Sequence, residues 1–446
     1  MKKGFNRNHL ISMSLGNIIG SGLFLGSSTV ILTAGPAAIL AYLFGGLIMA
    51  LEVMFITEMC VINPAPGAFR VHASEVFGPW IGFVNGWMFW CSGVLGMASE
   101  VVAAATFARF WFPSVPLWVF CVIFAVTMAG VNLNDLKGLS RIETYLASIK
   151  VIALVLFILF GILTLLGVIR LDSKLTNPFS SIKSFLPNGI GGVFASMIMV
   201  MFSFTGTGII GLAIADTENP EKNAPAAISI INIIVIALYT LSILFIILLT
   251  PWNSFSSTES PFVQIMNRIK IPYSDSILNF IVLTAALSGL NSSMYSSSRM
   301  LNSLSREGQA PKLFLKNNKN GVPVYALGIS SAALLFTAIL SYFLPQKVFI
   351  ILATSSGFLA MFNWLTISVT HYFYRKKTLR EKPEKLKYKA PGYPYTSFIE
   401  MALILAVFAT SPLYPGQISG LVSGIVLLAG LILCYFILKK YHVLNR

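Results

Sequence analysis

The feature that most constrains this chain is an uncharged stretch, residues 10–51, that is interrupted by glycines in GNIIGSGLFLG at 16–26. An apolar segment that crosses a bilayer forms a helix, because lipid offers its backbone no hydrogen-bond partner. Gly20, Ser21 and Gly22 weaken that helix near its middle. Unwound backbone at membrane depth is tolerated where it lines a cavity or holds a ligand, so the stretch predicts a binding site. The alternative is close helix packing, since the stretch also contains a GxxxG pair.

The composition is that of an integral membrane protein. Of the 446 residues 56% are hydrophobic and 11% are charged, whereas about a quarter of the residues in soluble domains are charged. Apolar runs of about 20 residues bounded by charge, Pro or Gly predict twelve spans. Their approximate centres are Gly20, Met49, Leu95, Val122, Val155, Ile198, Val235, Ala285, Ala333, Ser356, Leu403 and Leu427.

The distribution of charge predicts an orientation. The net charge of +15 would suit nucleic-acid binding, but the charges lie in loops of alternating bias. If both termini are cytoplasmic, the inner segments hold 23 Lys and Arg, the outer loops hold 7, and Lys150 lies inside a span. The positive-inside rule favours this orientation, and no nucleic-acid partner is expected. The basic segment RKKTLREKPEKLKYK at 375–389 is then expected to be a topology anchor beside anionic lipid.

No catalytic, cofactor or metal motif is evident. The four cysteines lie in or beside apolar spans without CxxC spacing, and buried thiols are predicted at Cys60, Cys91, Cys121 and Cys434. Glycines at 206, 208 and 211 match GxGxxG, but no strand precedes them, so a dinucleotide site is not predicted. HExxH, GxSxG and phosphate-loop motifs do not occur in the sequence. An enzyme is therefore not expected.

A second glycine-broken span is predicted at FSFTGTGIIG, residues 202–211. Corresponding interruptions in two halves of a chain are the best sequence indication of a transporter's central site. The sequence therefore predicts an all-α membrane protein with two inverted halves of five spans, 1–170 and 171–376. The basic segment and two further spans follow at 377–446. An amphipathic or re-entrant element is predicted at 63–87.

Several separated motifs resemble a known family: GNIIGSGLFLG with TAGPA, TEMCVINPAPGAF, FGPWIGFVNGW, FSFTGTG with ENPEKNAPAAI, and SSSRMLNSLSREGQAPKLF with GVPV. The chain resembles the amino acid transporter branch of the amino acid, polyamine and organocation superfamily. The resemblance implies the leucine-transporter fold and proton-coupled uptake of amino acids across the plasma membrane, with neutral α-amino acids as the expected substrates. An amino acid exchanger, a cationic or aromatic amino acid permease, a nutrient sensor and an ion channel are the alternatives.

The same resemblance implies a substrate site. The substrate carboxylate would meet the N–H groups of Ser21, Gly22 and Leu23, at the positive end of a half-helix. The ammonium would meet the carbonyls of Ile18, Phe202 and Thr205. The remaining predicted substrate-binding residues are Gly20, Met97, Glu100, Gly206 and Thr207. The alternative for Phe202 is an ordinary core or lipid-facing side chain.

Three ionisable residues are predicted to be embedded, and such groups mark functional sites in membranes. Lys150 resembles a lysine that takes the place of a sodium ion in proton-coupled relatives, and it is predicted to be the proton-coupling group, with snorkelling to the interface as the alternative. Glu100 is expected near the substrate side chain. Glu58 lies near the inner end of span two, so a solvated side chain without a functional role is an equal alternative to an embedded one. Many relatives carry a glutamate at the position of Gly208, so any coupling or gating role of that glutamate is absent from this chain or has moved to another residue.

Overall fold

The computed structural model describes residues 6–65, 67–133, 136–169, 175–215, 217–269 and 271–441, and within these ranges the chain is helical, without a β-strand. The basic N-terminal residues 1–5 and the predicted junction of the two halves at 170/171 lie outside the described residues. The helices of the first five predicted spans are α1 (Arg7–Ile18), α2 (Ser27–Ala34), α3 (Ala38–Ile62), α4 (Phe69–Phe77), α5 (Pro79–Ala108), α6 (Leu117–Asn132) and α7 (Leu136–Leu165).

The following helices form the second group of spans and the C-terminal pair. They are α8 (Ile182–Phe185), α9 (Gly189–Ser203), α10 (Gly208–Ile214), α11 (Pro220–Leu249), α12 (Pro261–Met266), α13 (Ser274–Arg306), α14 (Val324–Phe343), α15 (Val348–Glu381), α16 (Tyr395–Thr410) and α17 (Pro415–Lys440). Proline stands in the first turn of α5, α11 and α12, where its missing N–H removes no helical hydrogen bond.

Twelve spans are accounted for in the described part of the chain. Ten helical segments are long and apolar enough to cross a membrane, and the first of them, Arg7–Ile62, contains the first two predicted spans. The shorter apolar helix Leu117–Asn132 corresponds to predicted span four. The prediction of an all-α, multi-pass membrane protein is confirmed.

The packing of the helices brings the two broken spans to the centre. The first broken span packs against α9 through α2, while α1 packs against α7, α11 and α13. The long helix α5 packs against α13 and α15 on the opposite side of the site. The last helix, α17, is mostly exposed, and Cys434 on it is exposed rather than buried as predicted. Cys60 and Cys121 are buried, and Cys91 is half-buried.

Two segments at one end of the molecule differ from a simple loop. The predicted element at 63–87 contains the short helix α4, which is followed by a turn at Gly78 with φ of +93°. The basic segment 375–389 begins inside α15, which continues to Glu381. Arg375 is consequently buried in the protein rather than placed beside lipid, and it belongs to a polar cluster that is described below.

Candidate functional site

The first predicted break is present in the structure. Helix α1 ends at Ile18, and Ile19 adopts an extended conformation with φ of −80° and ψ of 96°. The backbone is helical again from Ser21, with a π-helical turn over Gly22–Gly26 that leads into α2. The N–H groups of the first turn of a helix have no acceptor within that helix. This half-helix therefore presents donors at the level of Ser21, Gly22 and Leu23.

The second predicted break is also present. Helix α9 ends at Ser203, α10 begins at Gly208, and the intervening residues form turns. Gly206 has φ of +101°, a conformation that side chains rarely adopt. The polar residues Thr205 and Thr207 flank it, and both line a central cavity.

The two breaks contact each other directly. The Asn17 side chain donates from Nδ2 to the Gly206 carbonyl over 2.8 Å. A Cβ at Gly22 would lie 2.5 Å from Ser203 Cα, so that glycine permits close backbone approach as well as unwinding. The Tyr239 hydroxyl lies 2.9 Å from the Ile18 carbonyl and 3.2 Å from the Ser203 carbonyl. Packing and site formation are therefore properties of the same residues.

The half-helix N-terminus carries a carboxylate from the protein itself. The Ser21 N–H donates to both carboxyl oxygens of Glu100, each at 3.1 Å. Glycines on two sides make room for this carboxyl, since a Cβ would lie 2.5 Å from its oxygen at Gly20 and 3.0 Å from its Cδ at Gly289. Met97, one turn earlier on α5, is fully buried. A carboxylate thus fits the position that was predicted for the carboxylate of the substrate.

Two of the predicted ammonium ligands, the carbonyls of Ile18 and Phe202, already accept hydrogen bonds within the protein. The Phe202 carbonyl accepts from the Thr205 N–H over 3.1 Å and from the Thr205 hydroxyl over 2.7 Å. The Phe202 side chain is buried and packs edge-on against Phe349, with ring centroids 6.2 Å apart, so it does not face lipid. Phe349 also lines a larger cavity of about 500 Å³. Phe349 therefore connects the Phe202 ring of α9 to the lining of that cavity.

Lys150 is fully buried on α7. Its Nζ donates to the Gly16 carbonyl of the first broken span over 2.6 Å. The ammonium also interacts electrostatically with Glu100. The side chain therefore points to the broken helix, and the snorkelling alternative does not hold.

The central cavity contains a carboxyl that sequence reasoning missed. A volume of about 60 Å³ is lined by Asn17, Glu52, Thr205, Gly206, Thr207 and side chains of α5, α13 and α15. Glu52 on α3 is fully buried, and its two oxygens have no hydrogen-bond partner among the described residues. A single acid inside the apolar run LIMALEVMFI was the available signal.

Phe89 explains the glycine at 208. A Cβ at Gly208 would lie 2.3 Å from Cε2 of the Phe89 ring. Both residues line the central cavity, together with Glu52. A side chain at position 208 would have to displace the Phe89 ring. The cavity contains a carboxyl nevertheless, that of Glu52 on α3.

Glu58 is buried, so the solvated alternative does not hold. Its Oε2 accepts from Arg375 Nη1 over 3.0 Å and from the Ala390 N–H over 2.6 Å. His371 Nε2 lies 3.3 Å from Glu58 Oε1. Glu58 was recognisable as an embedded acid, but no local sequence pattern indicates its partners, because they come from α15 and the segment after α15.

The chain matches a known family over almost its full length. The model of the family described as "Amino acid permease" matches residues 9–446. The γ-aminobutyric acid permease of Bacillus subtilis is 34% identical over 100% of this chain and 95% of the relative. The amino-acid permease RocE of the same organism is 35% identical over 100% and 96%. The aromatic amino acid transport protein AroP of Salmonella typhimurium is 33% identical over 94% and 91%.

Proposed function

The chain belongs to the amino acid permease family, and from this membership we propose that it is a secondary active transporter that couples uptake of neutral α-amino acids to protons. Amino acid transport, rather than an enzymatic reaction, is the activity of the family. The names of the relatives refer to γ-aminobutyric acid and to aromatic amino acids at nearly equal identity. Overall identity therefore does not select the substrate, and the site has to be used instead.

The observation that carries the proposal is the carboxylate at the half-helix N-terminus. Glu100 occupies the Ser21 N–H with both oxygens, and the N–H groups of Gly22 and Leu23 follow in the same turn. A substrate carboxylate that binds there meets the positive end of a helix dipole. Two adjacent carboxylates repel each other, so binding requires Glu100 to move or to take up a proton.

The proposal of neutral substrates follows from the same contact. Glu100 is held by the backbone of the first break and shares an electrostatic interaction with Lys150. If Glu100 takes up a proton when the substrate carboxylate binds, it carries no charge that could serve as a counter-ion for a cationic substrate side chain. The substrate ammonium would donate hydrogen bonds to the carbonyls of Ile18, Phe202 and Thr205. The site is then complementary to a zwitterion whose side chain carries no charge.

Lys150 is the proposed proton-coupling group. Its ammonium joins α7 to the first break through the Gly16 carbonyl. When protonated it holds the two spans together, and when deprotonated it loses the attraction to that carbonyl and lets them separate. A buried ammonium is costly unless it is paired or can release its proton, so a small change in its surroundings can shift its protonation.

The proposed setting is the plasma membrane with both termini in the cytoplasm, because the predicted inner segments carry most of the Lys and Arg. The end of the molecule that carries 375–389 then faces the cytoplasm and anionic lipid. The proposed moving units are the two inverted halves, 1–170 and 171–376. Alternating access would open the site first to the 500 Å³ cavity and then to the cytoplasm.

Uptake into proteoliposomes tests the function. Radiolabelled neutral amino acids should accumulate when the lumen is made alkaline, and an imposed sodium gradient should have no effect. Exchange of internal for external substrate without gradient-driven accumulation would instead support an exchanger. Binding in a thermal-shift assay without either transport activity would support a sensor.

A further inference from the structure

A series of buried polar groups leads from the central cavity to the end of the molecule that carries the basic segment. We call it the polar file, and its members are Glu52, Ser368, Glu400, Ser397, His371 and Glu58. All six are 0% exposed. They come from three helices, α3, α15 and α16, which pack against one another. Only the first of them lines the central cavity.

The cavity end of the polar file consists of two carboxyls. Glu52 lines the central cavity together with Thr207 of the second break, and Glu400 lies on α16, which packs against α3. The buried Ser368 hydroxyl on α15, which packs against α16, has no hydrogen-bond partner among the described residues. Among the described residues, the carboxyl oxygens of both glutamates have no hydrogen-bond partner and no ion pair with a basic side chain. Neighbouring buried carboxyls without a cation cannot both be ionised, so this pair retains at least one proton.

The other end of the polar file is a connected cluster. Ser397, one turn before Glu400 on α16, has its hydroxyl 3.1 Å from His371 Nδ1. The opposite ring nitrogen, Nε2, lies 3.3 Å from Glu58 Oε1. An imidazole that contacts an oxygen with each nitrogen can receive a proton on one side and release it on the other.

The surroundings fix the orientation of the imidazole and connect the cluster to the surface. The His371 ring is stacked on Phe55 with centroids 4.1 Å apart and an interplanar angle of 4°. Arg375 pairs with Glu58 and lies 4.5 Å from the centroid of the Tyr393 ring. Ala390 joins the same carboxylate from the segment that follows α15. Further ionisable groups near Glu58 are Arg375, Tyr388 and Tyr393.

We propose that the polar file is the route by which the coupling proton passes from the central cavity to the cytoplasm. A proton leaves the Glu52 carboxyl for Glu400 and passes by way of Ser397 to His371 Nδ1. The imidazole releases its Nε2 proton to Glu58, and from there the proton reaches the cytoplasm. Each group returns to its starting state by a tautomer change or a rotation, so no other reactant is consumed. Ser397 and Glu400 are three residues apart on α16, a rise of about 4.5 Å along the helix, which one bridging water can cover.

This proposal rests on the proton-coupled transport that is proposed above, and it differs from the role of Lys150. Lys150 links α7 to the first break and decides when the helices separate. The polar file lies on the other side of the second break and provides the path. Loss of the path should therefore uncouple the proton from the substrate without removing the substrate site.

The experiment compares Glu400→Gln with wild type in proteoliposomes that contain a trapped pH indicator. Glutamine keeps the size of the side chain but cannot carry a proton. Substrate-driven proton entry and pH-gradient-driven accumulation should fall on the order of 100-fold, the usual effect of removing a positioned proton-transfer group. Exchange of labelled for unlabelled substrate needs no net proton movement and should persist. Glu400→Asp should restore part of the proton flux.

Two further variants keep the test decisive. His371→Gln can still hydrogen-bond to Ser397 and should show the same separation of exchange from accumulation. Glu75→Gln makes the same chemical change on an exposed residue outside the file and should behave as wild type. The proposal is overturned if Glu400→Gln and His371→Gln both couple protons to substrate as the wild type does. It is also overturned if Glu400→Gln, Glu400→Asp and His371→Gln all lose exchange together with accumulation. Absence of pH-driven accumulation in wild type itself would instead contradict the proposed function.

Discussion

Gly22→Ala should impair transport strongly, because the added methyl group meets backbone rather than a movable side chain. The new Cβ would lie 2.5 Å from Ser203 Cα and 3.0 Å from Ser203 N. An ordinary contact begins at 3.4 Å, so the two broken spans would have to separate by about 0.9 Å, the difference between 3.4 and 2.5. Overpacking of this kind costs about 1–3 kcal/mol. If that cost falls on the substrate-bound state, the affinity falls by about 5- to 150-fold, at 1.4 kcal/mol for each tenfold change.

The matched control is Gly130→Ala in α6, where a Cβ would have no atom within 4 Å. Both substitutions add one methyl group to a glycine in an apolar span, so membrane insertion should be equal. Substrate-dependent thermal stabilisation measures affinity, and exchange in proteoliposomes measures function. If Gly22→Ala binds and exchanges substrate as well as Gly130→Ala does, close approach of the two breaks is not required and the proposed site geometry is wrong.

Three other predictions follow from the structure. Lys150→Ala should lose pH-driven accumulation while still binding substrate, and unchanged accumulation with an unaltered pH profile would exclude it as the coupling group. Neutral amino acids should compete for uptake better than lysine or arginine, whereas stronger competition by the cationic pair that is abolished in Glu100→Gln would make Glu100 a specificity residue. Burial lowers the pKa of His72, on α4, from 6.5 to about 4. As the pH falls, the unfolded chain therefore binds this proton before the folded chain does. The free energy of unfolding should fall by up to about 3 kcal/mol between pH 6.5 and pH 4. In His72→Gln the melting temperature should depend less on pH over the same interval.

The breaks could be predicted from the sequence because their causes are local. Clustered glycines weaken a helix wherever it packs, and the structure interrupts the helices at Ile19 and between Ser203 and Gly208. Lys150 could be predicted for a similar reason, since a single cation in an apolar run needs a partner wherever it lies. Its carbonyl partner, Gly16, belongs to the one stretch of span one that the glycines had already identified.

The polar file could not be predicted in the same way, because no single helix contains it. Glu400 closely follows the basic segment, where a charged residue is expected to lie at the membrane interface. His371 lies near the end of a long apolar helix. Only the packing of α3, α15 and α16 brings these residues together. Glu58 shows the same limit, since its burial depends on Arg375 and Ala390, which are more than three hundred positions away.

The cavity receives its carboxyl from α3 and not from the second broken span. At position 208, where the resemblance implies a glutamate in many members of the family, a side chain would meet the Phe89 ring at 2.3 Å. Glu52 enters the same cavity from α3. Since a carboxyl acts through its place in the cavity and not through its place in the sequence, the exchange of a glutamate for glycine on one helix need not remove proton chemistry. The proposed proton route accordingly begins at Glu52 on α3, which lines the cavity.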